Sequence, residues 1–189
     1  MQMKEILLLP LIFFYLTFVA IAQQNCLAFQ GRDGKFEKNR LDTKTELLFT
    51  YTSEATKAYL PDKDLIKTTA YLTYIEGGYY LLNFIIDVAL ANAPSAYGNI
   101  PAKSNMVIHF LDGSKINLKS ASTTIGIFRE EEIIYRYRVE YPIGGSALKK
   151  LKGKELDKLD LTWTTGMESY EIYDIDFFKR HFECLLQHQ

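Results

Sequence analysis

Between residues 65 and 90 the chain reads LIKTTAYLTYIEGGYYLLNFIIDVAL, and it folds naturally about Glu76-Gly77-Gly78. Beyond that turn Tyr80, Leu82, Phe84, Ile86, Val88 and Leu90 recur at period two, so one face of a strand collects all of them. Before it, Ile66, Ala70, Leu72 and Tyr74 oppose Lys67, Thr69 and Thr73, the pattern of an antiparallel strand with one wet face. The pattern predicts a long β-hairpin whose second arm is central in a sheet. The rest of the chain is expected to lie against its apolar face.

Residues 23–43 are polar and turn-rich around Gly31-Arg32-Asp33-Gly34, and predict irregular structure with one short edge strand. Leu47, Phe49 and Tyr51 mark a strand over 45–52, and 53–64 reads as a connection holding Pro61. Pro94, Gly98 and Pro101 exclude regular structure from the loop 91–101. A second hairpin, 105–111 with 115–119, turns through Asp112-Gly113, which supplies the positive φ a tight turn needs. A short strand over 125–128 precedes the charged tip Glu130-Glu131-Glu132. From 134 to 141, Ile134, Arg136, Arg138 and Glu140 alternate with Tyr135, Tyr137, Val139 and Tyr141.

Ser146 is placed to cap a short helix near 146–152 that carries Leu148 and Leu151 and ends near Gly153. Strands over 157–164 and 169–175 flank the turn Thr165-Gly166. Asp176 then caps a C-terminal helix near 176–187, where Phe178, Phe182 and Leu185 form one apolar stripe. About eight strands with hairpin signals predict a mainly β fold, a two-layer antiparallel β-sandwich. Strand spacing fits an immunoglobulin-like sandwich better than a closed barrel.

Composition narrows the function more than it names it. With 22 basic and 23 acidic side chains the formal charge is -1, and no basic stripe is present to replace phosphate counterions, which argues against nucleic acid. Near-neutrality gives no reason to expect binding to acidic lipid surfaces. The 13 Tyr and 12 Phe favour strands. Residues 1–22 read as a signal peptide: Lys4, an apolar run over 6–21, then Ala20-Ile21-Ala22 before the cut. The rival, an uncleaved anchor, is disfavoured because the run is short and contains Pro10. Asn25 before Cys26 does not fit a lipoprotein signal. The expected layout is a signal peptide, 1–22, and a single β-sandwich domain, 23–189. The mature protein is then periplasmic or extracellular, with no membrane span after cleavage. Export permits a disulfide between Cys26 and Cys184; the alternative is two unpaired thiols with Cys184 buried in a helix.

The tail order is a short Leu-bearing helix (Leu148, Leu151), then LDKLDLTWTTGMESYEIYDI, then DFFKRHFECLL with the pair Cys184-Leu185. It resembles the C-terminal part of small exported proteins of Bacteroidetes bacteria, in families of unknown function with a predicted β-sandwich fold. The resemblance covers about the last 40 residues. It implies fold and compartment, and it transfers no site residue.

No GxSxG is present, and Gly144-Gly145-Ser146 reads as a capping turn. His109 lies mid-strand, on the solvent face; His181 reads as a surface residue beside Lys179 and Glu183; His188 sits in the tail. His181 and Cys184 share a helix face, but no second ligand pair accompanies them, so no metal or other cofactor is expected. Asp62, Asp64, Asp157 and Asp160 lack calcium-loop grammar. The most suggestive surface is the row Tyr135, Tyr137, Tyr141 with Arg136 and Arg138 behind it, a platform for a sugar or a peptide. Strict alternation favours the other reading, in which the tyrosines face the core and the arginines face water.

The expected function is an exported, non-catalytic binding or envelope-structural module, its partner a protein or carbohydrate of the cell envelope. One alternative is a carbohydrate-active hydrolase using loop carboxylates such as Glu130 to Glu132. The other is a subunit of an envelope assembly. An exposed patch would mark the binding module, converging carboxylates in a cleft the enzyme, and an uncovered edge strand the assembly subunit.

Overall fold

The computed structural model describes residues 26–35, 37–59 and 64–189, so the signal peptide read at 1–22 lies outside the described residues. Among these described residues eleven strands and four helices follow in order. They are β1 (Leu27–Arg32), β2 (Asn39–Thr43), β3 (Glu46–Tyr51), α1 (Glu54–Lys57), β4 (Ile66–Ile75), β5 (Tyr79–Val88), α2 (Ala93–Ala96), β6 (Asn105–Phe110) and β7 (Lys115–Lys119). After these come β8 (Ile127–Arg129), β9 (Ile134–Ile143), α3 (Gly145–Gly153), β10 (Leu156–Trp163), β11 (Gly166–Glu171) and α4 (Phe177–His188).

The strands form two antiparallel sheets. The larger runs β1-β2-β4-β5-β9-β8, with β3 also on β4; the smaller runs β11-β10-β6-β7. Both are open, so the fold is a sandwich and not a barrel. The long hairpin is its centre. β4 and β5 pair from Ile66↔Val88 to Ile75↔Tyr79, and Gly77 and Gly78 turn the chain at φ 100° and 86°, which side chains with a Cβ rarely adopt. β5 is paired on both sides, and β9 aligns Tyr141 with Leu82 and Val139 with Phe84.

The inner faces of the two sheets meet in one core. Phe49 of β3 stacks on Tyr170 of β11 at 4.7 Å, and Tyr137 of β9 meets Trp163 of β10 edge-on at 5.1 Å. α4 buries Phe177, Phe178, Phe182 and Leu185, packing against α3, β2 and β4. Cys26 and Cys184 are at bonding distance, with Cα atoms 6.0 Å apart, so the start of β1 is tied to α4. No helix among the described residues is long and apolar enough to cross a membrane.

Several local expectations need correction. Residues 27–43 hold two paired strands, not one, because β1 is largely exposed and gives little hydrophobic signal. The 91–101 loop contains a one-turn helix, with Pro94 in its first turn where no backbone donor is needed. Gly144, not Ser146, occupies the cap position of α3. Asp176 does sit at the α4 N-cap, but its side chain makes no capping bond and pairs with Lys179 instead. β9 runs through Pro142 to Ile143; β8 borders only residues 134–136, so the missing N–H interrupts no ladder on that side.

Candidate functional site

β9 sorts its side chains by parity, and the sorting decides which face is open. Tyr137 and Tyr141 are fully buried and Tyr135 half-buried, all on the inner face. The tyrosine row is therefore closed to a ligand, because the smaller sheet covers it. Arg136 and Arg138 project from the opposite, outer face, as do Ile127 and Arg129 of β8, since Ile127 pairs with Arg136 and Arg129 with Ile134.

A groove of about 440 Å³ opens on this outer face, lined by Ser122, Thr123, Thr124, Ile125, Ile127, Arg129, Arg136 and Arg138. Its floor is fixed by β9, and its wall, residues 121–127, is strapped down. Ala121 N–H donates to the Glu140 carbonyl at 2.8 Å, and the Thr124 hydroxyl donates to the Arg138 carbonyl at 2.9 Å. Thr124 also bridges Ile100. Gly126 lies so close to Tyr137 that a Cβ there would stand 2.4 Å from Cζ. The Tyr137 hydroxyl in turn donates to the Gly98 carbonyl at 3.1 Å.

The groove's cations differ in how much charge they have left to offer. Arg136 is held by both Asp87 oxygens, at 2.7 and 2.9 Å, and by Glu132 at 2.8 Å. The Asp87 hydrogen bond is the main reason its pKa is raised further. It is a neutralised, structural cation. Arg129 and Arg138 are exposed and form no ion pair among the described residues. Two uncompensated guanidinium groups beside threonine and serine hydroxyls suit a carboxylate or another planar anion. Ile125 and Ile127, each 59% exposed, add an apolar lip. Phe128 is exposed as well, and Ile133, 66% exposed, holds φ at 54°, a region a β-branched residue seldom enters.

Against protein-family models, curated proteins and solved structures the chain finds no match.

Among the described residues neither His109 nor His188 meets a hydroxyl, and the one that does, His181, meets that of Thr43 inside the core. His109 Nε2 lies 2.7 Å from Asp160 Oδ2, and Ser169 donates to the other Asp160 oxygen. The carboxylate sits between histidine and serine, so the imidazole has no contact with the hydroxyl it would need to deprotonate. Glu130, Glu131 and Glu132 are exposed on the tip, and Glu132 is committed to Arg136. His188 Nδ1 meets the Cys184 carbonyl at 2.8 Å. Cys26, Cys184 and His188 bring ligand atoms within 4.8 Å of one another, but both sulfurs are spent on the disulfide and offer no thiolate. A second groove, near 370 Å³, includes Arg40, whose charge is already met by Asp42 and Asp33.

His181 is buried, not on the surface. The α4 stripe is wider than its three strongest apolar residues suggest, and the ring stacks on Phe177 at 4.0 Å. The Thr43 hydroxyl accepts from Leu72 N–H at 2.9 Å, so its own proton is free to donate to His181 Nδ1 at 2.6 Å. Nε2 then carries the imidazole proton. It sits 3.4 Å from Glu46 without a hydrogen bond. Burial lowers the His181 pKa, and it outweighs the opposing pull of Glu46; Arg180 pushes the same way as burial, and Asp174 against it. The unfolded chain therefore takes up this proton before the folded one. The His181 contribution is intact above the ordinary value near 6.5 and is lost as pH falls from there through the lower folded value. Urea midpoints measured between pH 8 and pH 5 are expected to decline, and His181→Gln to flatten that part of the profile. An unchanged slope in the variant would refute the assignment.

Proposed function

We propose that this protein is an exported, non-catalytic binding module of the cell envelope, and that it works through the outer-face groove beside β8. The observation that carries the reading is the pair Arg129 and Arg138, two guanidinium groups without an ion-pair partner among the described residues, set against hydroxyls and an exposed isoleucine lip. Side chains of this kind hold a ligand through a carboxylate and an apolar body; they supply no proton-transfer group. Export is supported by the apolar leader and by the disulfide, a bond that persists in oxidising compartments. The immunoglobulin-like arrangement suggested by strand spacing, and the resemblance of the tail to exported Bacteroidetes proteins, belong to the same proposal.

The test is calorimetric titration with a uronic-acid oligosaccharide and with a glutamate-containing peptide. At least one is expected to bind, and losing each guanidinium in Arg129→Ala and Arg138→Ala to weaken it by about tenfold or more. Wild-type affinity in the double variant, or no binding of either probe, would remove the groove from the account.

A further inference from the structure

We propose that the occupant of this site is an extended protein segment that adds to the free side of β8 as a further strand, with an apolar side chain beside Ile127 and a single carboxylate beside Arg129. The proposal rests on the groove being the working surface. It adds which class of partner fills it and how.

β8 has β9 on one side and, among the described residues, no strand on the other. In an antiparallel edge strand the N–H and C=O groups of alternate residues point outward and stay unpaired. Proteins guard such edges with lysines, bulges or covering segments. The other edges here are guarded. β1 carries a register shift between Leu27 and Phe29 and starts beside the disulfide. β7 begins with Lys115 and ends with Lys119. β11 carries Glu168 and Glu171. β8 is Ile127, Phe128 and Arg129, all exposed, with exposed Ile125 and Ile133 on either side. β3, which pairs only with β4, carries a register shift between Leu47 and Phe49. Of these five strands with one free side β8 is the least protected and exposes the most apolar face, and it borders the groove.

Side-chain parity then specifies the partner. Residues of an added strand opposite Ile127 and Arg129 project to the outer face, over the groove; the residue between them projects with Phe128, whose ring lies 5.1 Å from Tyr135. Added antiparallel, as every strand pair here is, the matching segment reads acidic, apolar, apolar from its N-terminus. Glu130 and Glu131 lie just past the strand end and repel a second carboxylate there. A second copy of this chain fits poorly: antiparallel β8 strands centred on Phe128 place Ile127, not a carboxylate, opposite Arg129.

The experiment titrates the intact disulfide-bonded protein with three acetylated, amidated pentapeptides. One is Thr-Glu-Ile-Val-Thr. The second, Thr-Ile-Glu-Val-Thr, moves the acid to the other face. The third keeps the first sequence but is N-methylated at the amides that face the β8 edge. The first is expected to bind, the other two at least about tenfold more weakly, and Arg129→Ala to weaken the first by a similar factor. Equal affinity of the N-methylated peptide overturns strand addition while leaving the groove reading intact. So does failure of all three peptides when the uronic-acid oligosaccharide binds and the arginine variants abolish that binding. Concentration-dependent dimerisation that Phe128→Lys removes overturns the proposal in favour of self-pairing. Failure of every probe overturns both readings.

Discussion

Reducing the Cys26–Cys184 bridge, or replacing Cys184 with serine, is expected to lower the stability of the protein by about 2–5 kcal/mol. The bridge spans 158 residues, nearly all of the described chain. Closing so long a loop removes entropy from the unfolded state worth about 5 kcal/mol in the chain-entropy model, and measured losses on removing native disulfides run from about 2 to 5 kcal/mol. A domain of this size has a total stability of about 5–15 kcal/mol, so the change is a large share of it. The helix should not detach, because Phe177, Phe178, Phe182 and Leu185 are buried independently of the bond. β1 is different. It is mostly exposed and pairs only with β2, so without the bridge that one ladder is all that holds it. The expected result is a lower urea midpoint in the presence of a phosphine reductant, with early proteolysis before Asn39. Identical midpoints for the oxidised and reduced protein would mean that the unfolded chain is already compact enough for the bridge to constrain nothing.

The contrast between β1 and β5 explains what the sequence discloses and what it withholds. β5 sits between two strands and faces a covered interior, so its period-two residues announce both its identity and its face. α4 announces itself in the same way through Phe178, Phe182 and Leu185. β1 and β8 are edge strands with little burial, and burial is what writes alternation into a sequence. The candidate site shares that difficulty. Arg136 and Arg138 stand out by alternating with tyrosines, and strict alternation already favours tyrosines in the core and arginines outside; what it does not disclose is that the arginine face carries a groove. Arg129 gave no signal on its own. Treating IFREEEIIYR as a hairpin about its glutamates would have aligned Ile127 with Arg136 and found it. His181 escaped because helix periodicity is judged by apolar residues, and a histidine stacked on Phe177 behaves as one. Whether the three groove arginines carry free charge is a question of tertiary geometry, settled by where Asp87 falls on the neighbouring strand.

Tyr137 separates the two readings of the tyrosine row most sharply, since one makes it a ligand contact and the other a keystone beneath the groove. Its ring is buried between the sheets against Trp163, and Gly126 closes over it with no room for a side chain. Burial raises its phenol pKa above the ordinary tyrosine value, and the neighbouring Tyr135 adds to the shift. Tyr137→Ala is expected to cost about 3–5 kcal/mol, the range for emptying a large aromatic site in a core. It also removes what Gly126 rests on, so the groove wall at 121–127 loosens and ligand affinity falls with stability. Tyr137→Phe keeps the ring and loses one hydrogen bond, leaving the Gly98 carbonyl without it; the expected cost is about 1 kcal/mol, with affinity for the glutamate peptide unchanged. A ligand platform would behave in the opposite way, losing affinity in the phenylalanine variant while stability held. Urea denaturation and peptide titration of both variants decide between them. Stability of Tyr137→Ala within about 1 kcal/mol of wild type would also unseat the keystone role, because a core aromatic cannot be removed so cheaply.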